Sequence, residues 1–128
     1  MDLLGKSQDL PPQRKRVDGA TVYKRFSKAI QDNGGDAIAH RDSVIAETEE
    51  MFGCGVRELY QATGAKRGKR ETLPQAVQEA YIVNESISAN ELERSVGGLS
   101  GETQDEVNGQ IVNIVRETSK KSRPWLPW

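Results

Sequence analysis

The stretch VIAETEEMFGCGVRELYQATGAKRGKR, residues 44–70, decides the predicted fold and holds the most distinctive chemistry of the chain. Its first part has the apolar spacing of an amphipathic helix, which ends at the glycine-containing residues 53–55. A second, short helix follows, and Gly64 is placed to terminate it. The stretch closes with a loop of four cations around Gly68: Lys66, Arg67, Lys69 and Arg70.

Helix, glycine-containing turn and helix is the arrangement of a helix-turn-helix motif, whose second helix enters the major groove of DNA. In that interpretation Phe52 and Leu59 pack the two helices together. Arg57 and Gln61 face outward, where they would contact base edges. A plain helical hairpin has the same pattern, and Gly55 is a poor start for a recognition helix, so both interpretations stay open.

The cationic loop predicts contacts with phosphate. Four positive charges within five positions cannot all be neutralised locally, and the glycine between them lets backbone amides approach an anion closely. We therefore assign phosphate contacts to Lys66, Arg67, Lys69 and Arg70. The spacing is not that of a Walker A motif, so nucleotide hydrolysis is not predicted. A solvated loop that pairs with the protein's own acidic helices, or with a partner's carboxylates, explains the pattern equally well.

Charge is strongly segregated in this chain of 128 residues, although its formal net charge is only −1. Residues 14–28 contain six cations and one acidic residue, whereas residues 36–50 contain five acidic residues and one cation. Blocks of opposite sign predict faces of opposite potential. Residues 1–17 have little to bury and are predicted to form a flexible basic arm. This arm adds three predicted phosphate contacts: Arg14, Lys15 and Arg16.

Residues 18–118 are predicted to form one all-α domain, a small bundle of four to five helices. Asp18 and Asp36 are placed to cap the first two helices, and the run Asn33-Gly34-Gly35 to stop the first. The second helix is expected to bury an apolar stripe that includes Ile38.

The long helix after the cationic loop is expected to start with a capping box formed by Thr72 and Gln75 and to break near Ser88. Apolar residues at helical spacing predict its buried face: Ala76, Val77, Ala80, Val83 and Ile87. Its acidic residues are expected to form a solvated face without catalytic geometry: Glu79, Glu85, Glu91 and Glu93. A last helix from residue 101 places apolar residues on one stripe, including Ile111 and Val115.

The chain ends in a basic, Trp- and Pro-rich tail, residues 119–128, with both tryptophans in its last four positions. Tryptophans are frequent anchors in protein interfaces, so we predict a docking segment for a partner or a second subunit. Its anchors would be Trp125, Leu126 and Trp128. Two other interpretations stay open, since the tail would also suit covering the protein's own core or stacking on nucleic-acid bases.

No pattern in the sequence assembles a catalytic centre. Cys54 is the only cysteine and His40 the only histidine, so no disulfide, zinc site or other cofactor site is predicted. We expect His40 to be an ordinary solvated or hydrogen-bonded side chain. No apolar run approaches the about 20 residues that span a bilayer, and the first residues lack the apolar middle of a signal peptide. The sequence therefore predicts a cytoplasmic, non-enzymatic protein without membrane contact.

A wider set of residues resembles a known family. It comprises Thr48-x-x-Met51-Phe52-Gly53 with Tyr60 downstream, the loop that ends at Arg70, then Glu79, Glu85-Ser86, a late Gly-rich turn and the Ile-x-x-x-x-Arg pattern of residues 111–116. This pattern, over residues 45–117, is similar to the C-terminal half of prophage BRO-type and damage-inducible protein D proteins. We find no counterpart of the N-terminal BRO domain that such proteins normally carry. The resemblance implies a small protein of phage, plasmid or other mobile-element origin that is associated with DNA, and it transfers no catalytic residues.

These features together predict a regulatory protein of mobile-element or stress-response type that contacts nucleic acid through its basic arm and basic loop. The alternative is a protein-interaction module, such as an inhibitor, antitoxin or adaptor, that docks through the basic loop and the WLPW tail. The first function requires the basic segments to converge on one face, whereas the second requires an exposed tryptophan patch.

Overall fold

The computed structural model describes residues 18–123, and no β-strand occurs among them. Five α-helices follow one another: α1 (Gly19–Asp32), α2 (Ala37–Phe52), α3 (Val56–Thr63), α4 (Gln75–Arg94) and α5 (Gln104–Ser122). A 3₁₀ turn, Arg70–Thr72, separates α3 from α4. The predicted all-α class and number of helices are therefore confirmed. The predicted basic arm and the last five residues of the tail lie outside the described residues.

Within residues 18–123, no helix combines the length and the apolar character that crossing a membrane requires.

Aspartate side chains fix where the first two helices begin. Asp18 accepts a hydrogen bond from the Ala20 N–H at 3.0 Å. Asp36 accepts from the N–H groups of Ile38 and Ala39, at 3.0 and 3.1 Å. Both are the caps that the sequence predicts, because a short carboxylate satisfies N–H groups that have no partner inside the helix.

Glycine is required at several turns for two different reasons. Gly53 and Gly64 end α2 and α3 in the left-handed conformation, with φ of 72° and 75°. Gly35 is required because space is short, since a Cβ there would lie 2.7 Å from Ile30 Cγ2 and 2.8 Å from Ile111 Cδ1. The connection between α1 and α2 therefore approaches α5 too closely to carry a side chain.

The four long helices pack as two pairs of parallel neighbours. Gly19, at the start of α1, lies against Ile82, and the Asn33 side chain just after α1 donates to the Leu92 carbonyl at 2.7 Å, so α1 and α4 run in the same direction. In the second pair, α2 and α5, Asn108 donates to Asp36 at 2.8 Å near the start of each helix. Close to the far ends of the same two helices, Arg116 is ion-paired with Glu49 and Glu50.

Two apolar clusters stabilise the bundle, and a buried polar layer lies between them along α2 and α4. The first cluster is Phe26, Ala29, Ile30, Ala39, Ala89, Leu92, Ile111 and Val115. The second is Met51, Leu59, Tyr60, Leu73, Ala80 and Tyr81. The layer between them consists of Ser43, Glu47, Thr48, Asn84, Glu85 and Ser88, to which α5 adds Ser119 and Ser122. Polar groups can be buried at this density only if most of them find partners on neighbouring helices.

Because polar residues are buried in this layer, the prediction of which faces of α2 and α4 are buried is partly wrong. Ile38 on α2 and Val83 and Ile87 on α4 are 47%, 45% and 40% exposed. On α4 the face that turns inward carries Asn84 and Glu85 instead, and Glu85, expected to be solvated, is only 1% exposed. Counting apolar spacing cannot find a face whose polar groups are satisfied by distant partners.

Two further expectations about α4 are also wrong. The helix runs unbroken from Gln75 to Arg94, through Ser88. Its N-cap is Pro74, without a side-chain cap, so the expected capping box of Thr72 and Gln75 does not form. Thr72 turns its hydroxyl toward the preceding loop instead.

Candidate nucleic-acid interface and the buried arginine behind it

Residues 66–69 form a closed turn, called here the basic turn. The Lys69 N–H donates to the Lys66 carbonyl at 3.0 Å, and Gly68 has φ of 78°, as the third residue of a type II turn requires. The Thr72 hydroxyl accepts from the Lys66 N–H at 2.9 Å and donates to the Lys69 carbonyl at 2.6 Å. The basic turn is therefore a hydrogen-bonded structure and not an open loop.

The cations of the basic turn face solvent. Lys66, Arg67 and Lys69 are exposed, and none of them takes part in an ion pair within residues 18–123. Some other exposed cations of the bundle do have a local carboxylate partner, as Lys28 has in Asp32 at 2.8 Å. The positive charge of the basic turn is thus available to an external anion.

Helix α3 leads directly into the basic turn. Arg57 and Gln61 lie one helical turn apart and are both exposed, while Leu59 and Tyr60 are buried in the second apolar cluster. The α2–α3 connection contains Gly53 and Gly55 as a helix-turn-helix would, but α3 has only eight residues. The helix-turn-helix interpretation stays a prediction.

Arg70 has a different role from the other cations of the loop. Its guanidinium donates two parallel hydrogen bonds to Glu85, Nη1 to Oε1 at 2.9 Å and Nη2 to Oε2 at 2.7 Å. The second carboxyl group nearby, that of Glu47, lies 3.8 Å from Nη2. Burial alone would lower the pKa of Arg70, but the bonds to Glu85 and the nearby carboxylates outweigh it and raise that pKa. The phosphate contact predicted for Arg70 therefore competes with a bidentate pair inside the protein.

Two tyrosine rings complete the surroundings of the Arg70 guanidinium. Its central carbon lies 4.5 Å from the centre of the Tyr23 ring and 4.0 Å from that of Tyr81. A guanidinium at this distance is attracted to the electron-rich face of an aromatic ring. Burial raises the pKa of both tyrosines, so the rings stay neutral around the cation.

Glu47 and Glu85 cannot both be ionised at little cost, because they share one buried cation. Glu47 is fully buried, and burial together with the charge of Glu85 raises its pKa well above the ordinary value. A proton on Glu47 makes it a hydrogen-bond donor to Glu85. The cluster is then neutral, with one cation, one carboxylate and one protonated carboxyl group.

A network of amide and hydroxyl groups holds Glu47 in place from the other side. Asn84 donates to Glu47 Oε1 at 2.8 Å and to the Ser119 hydroxyl at 3.0 Å, and its oxygen accepts from Ser122 at 2.6 Å. The network joins α2, α4 and α5, and every polar atom of the Asn84 side chain has a partner. A buried amide that is fully bonded in this way fixes the relative rotation of the helices around it.

The described structure places only some of the residues predicted to form the site. Residues 57–69 hold five exposed candidates, of which only Gln61 is neutral: Arg57, Gln61, Lys66, Arg67 and Lys69. Arg70 is described but pairs with Glu85, and the remaining candidates lie outside the described residues: Arg14, Lys15, Arg16, Trp125, Leu126 and Trp128. Whether the basic arm converges with the basic turn thus stays a prediction.

Sequence reasoning missed the residues that surround Arg70. Tyr81 and Glu85 lie one helical turn apart on α4, and an aromatic and an acidic residue at this spacing were a weak signal. Tyr23 and Glu47 come from α1 and α2, far from the cationic loop in sequence. No local pattern connects them with Arg70.

The single histidine and the single cysteine form no further site. His40 is half-buried, with its ring centre 5.2 Å from that of Tyr23, and burial lowers its pKa. Cys54 is also half-buried and packs against the second apolar cluster. Among residues 18–123, no group of three or more metal-binding side chains comes together.

No protein-family model, curated protein or solved structure matches this chain.

Proposed function

We propose that this chain is a small, non-enzymatic regulatory protein of mobile-element or stress-response type that acts in the cytoplasm and contacts nucleic acid through the basic turn. The observation that carries the proposal is the basic turn itself, which holds Lys66, Arg67 and Lys69 exposed and without ion-pair partners in residues 18–123. Because hydrogen bonds already fix the backbone of the turn, little backbone conformational entropy is lost when a phosphate binds.

The exposed residues of the basic turn and of α3 have two different proposed roles. Lys66, Arg67 and Lys69 contact backbone phosphates, which gives affinity without sequence preference. Arg57 and Gln61, exposed on α3, reach toward base edges. The basic arm, residues 14–16, adds phosphate contacts of its own.

Nearby carboxylates set the expected strength of binding. Glu58 and Glu71 are exposed beside the same segment, and Glu58 also accepts from the Gly55 N–H at 2.8 Å. Their charge lowers the local positive potential. We therefore expect modest affinity with a strong dependence on salt.

The test is DNA binding across a salt series with duplex and single-stranded oligonucleotides. One variant replaces Lys66, Arg67 and Lys69 together with alanine. The matched control replaces three exposed cations that the structure pairs with local carboxylates: Lys28, Arg94 and Lys120. Both variants lose the same formal charge, so a difference between them reports the position of the charge and not its amount.

The proposal predicts that affinity falls and the salt dependence flattens in the basic-turn variant only. On duplex DNA, each lost phosphate contact should reduce the slope of log K against log salt by about 0.9. Equal losses in both variants would contradict a specific role of the turn. Absence of binding by the wild type at low salt would overturn the proposal in favour of the alternative, in which the basic turn and the WLPW tail dock on a protein partner.

A further inference from the structure

We propose that Tyr23, Tyr81, Glu85 and Glu47 form a guanidinium-binding pocket in the helical bundle, and that Arg70 fills this pocket from within the same chain and thereby anchors the basic turn. The pocket and the chemical class of its ligand go beyond the proposed function. Only the consequence for nucleic-acid binding rests on that function.

The shape of the pocket matches a guanidinium group. The Glu85 carboxylate accepts two parallel N–H bonds, at 2.9 and 2.7 Å, which only a planar fork of donors can supply. The rings of Tyr23 and Tyr81 lie within 4.5 Å of the central carbon and favour a flat, weakly hydrated cation. A lysine ammonium is a compact, strongly hydrated point charge without this fork. The pocket should therefore select guanidinium over ammonium.

Two of the four walls of the pocket, Tyr81 and Glu47, are held by contacts that do not involve Arg70. The Tyr81 hydroxyl and Thr48 Oγ1 lie 2.6 Å apart, and Thr48 also donates to the backbone of its own helix, so Tyr81 is the donor. Asn84 holds Glu47 from the side away from Arg70, through a bond of 2.8 Å. Removal of the Arg70 side chain should thus leave the pocket formed and open to a cation from solvent, since that side chain is 29% exposed.

Arg70 also connects the pocket with the basic turn. It directly follows Lys69, the last residue of the turn, and begins the 3₁₀ turn Arg70–Thr72. Leu73, three residues later, is only 3% exposed and packs in the second apolar cluster. The C-terminal side of the basic turn is therefore fixed by one polar and one apolar anchor, while its N-terminal side is fixed by α3.

The decisive experiment is rescue of an Arg70→Ala variant by a small guanidinium compound. Thermal unfolding of the wild type and of the variant is followed by circular dichroism with millimolar ethylguanidinium or, as the control, ethylammonium. We expect ethylguanidinium to raise the Tm of the variant in a saturable way and to leave the wild type unchanged. An equal effect of both cations on the variant, or none from either, would overturn the proposal.

A second variant keeps the test decisive if Arg70→Ala does not fold. Arg70→Lys keeps the positive charge but loses the planar fork. A guanidinium pocket predicts that this variant unfolds at a Tm close to that of Arg70→Ala, or fails to fold as that variant does. A Tm close to the wild type would instead show that any cation suffices, and would overturn the proposal.

DNA binding separates the failure of this proposal from that of the proposed function. We expect Arg70→Ala to bind DNA more weakly than wild type, with affinity restored by ethylguanidinium and not by ethylammonium at equal ionic strength. If the wild type does not bind DNA, the proposed function fails while the Tm rescue still decides the pocket. If the wild type and Arg70→Ala bind DNA with equal affinity, the proposal that Arg70 anchors the basic turn is wrong.

Discussion

The side-chain amide of Asn84 on α4 donates a hydrogen bond of 2.8 Å to Oε1 of Glu47 on α2. This bond leaves Glu47 Oε2 on the side of Arg70, whose Nη2 lies 3.8 Å away. Arg70 is already engaged in the bidentate pair with Glu85, so Glu47 has no cation of its own. The buried polar layer is therefore more stable when Glu47 is protonated than when it is ionised.

The stability of the protein should depend on pH through Glu47. Burial and the charge of Glu85 raise the pKa of folded Glu47 well above 4.5, its ordinary value in the unfolded chain. The folded state then binds the proton more tightly, so the resulting stabilisation is complete below the ordinary pKa and is lost as pH rises through the folded pKa. Urea midpoints of the wild type and of Glu47→Gln, measured from acidic to mildly alkaline pH, check this. As pH rises, the urea midpoint of the wild type should fall relative to that of Glu47→Gln. Two midpoints that change with pH in parallel would contradict the assignment.

Loss of the Glu85 charge should destabilise the protein much more than loss of a surface carboxylate. Glu85→Gln leaves the partly buried Arg70 without its partner, for which we expect a cost of about 3 kcal/mol. Glu93→Gln is the control, because Glu93 pairs with Arg25 at 2.7 Å but both side chains are about 40% exposed. That pair should contribute about 0–1 kcal/mol. Free energies of unfolding from urea titration measure both values, and similar losses in the two variants would argue against a structural role of the buried pair.

Glycine substitutions should have opposite effects at two positions. In Gly35→Ala the new Cβ would lie within 3.0 Å of Ile30, Ile111 and Ala39, so we expect destabilisation of about 1–3 kcal/mol from overpacking. In Gly109→Ala, inside α5, the Cβ meets nothing within 4 Å. That change should stabilise the helix by about 1 kcal/mol. Thermal unfolding of both variants is the measurement, and a neutral Gly35→Ala would mean that the α1–α2 connection can move away from α5.

Replacement of two buried serines by alanine should have opposite effects on the stability of the protein. Ser88 is fully buried, and its hydroxyl has no hydrogen-bond partner among residues 18–123. Its removal should stabilise the protein by about 1 kcal/mol. The Ser119 hydroxyl donates to the Val115 carbonyl at 2.7 Å and accepts from Asn84 at 3.0 Å, so Ser119→Ala should destabilise by about 1–2 kcal/mol. Destabilisation by Ser88→Ala would contradict the assignment of this hydroxyl as unpaired.

The shape of the basic turn should matter for DNA binding independently of its charge. Thr72→Val removes the hydroxyl that joins Lys66 and Lys69 but changes no charge. We expect affinity to fall several-fold while the salt dependence stays close to that of the wild type, because the same cations remain. Thr63→Val is the control, since the Thr63 hydroxyl bonds only within its own helix, to the carbonyls of Leu59 and Tyr60. Unchanged affinity in Thr72→Val would show that the charges act without a fixed geometry.

The parts of the fold that were predicted correctly depend on neighbours in sequence. Asp18 and Asp36 cap helices that begin one residue later, and Gly53 ends α2 at its predicted position. These signals act over a few residues, because a cap or a left-handed glycine satisfies groups of the adjacent helical turn. The exposed cations of the basic turn could be proposed from the sequence because they, too, are neighbours along the chain.

The polar layer could not be predicted in this way. Glu85 bonds to Arg70 across 15 positions and Asn84 to Glu47 across 37, and neither pair has a characteristic spacing. The sequence favoured Val83 and Ile87 as the inner face of α4, since it is the more apolar one. The structure buries the polar face because its groups find partners there.

The sequence by itself determined that the chain is helical, where most helices begin and end, and that a cluster of cations lies in a loop between two of them. Only the tertiary structure decided how those cations are used. Packing of α1, α2 and α4 brings two tyrosines and two carboxyl groups around Arg70. Arg70 is therefore partly buried, whereas Lys66, Arg67 and Lys69 stay exposed. The physical reason is that a buried charge needs several partners at once, and such partners come together only when distant helices pack.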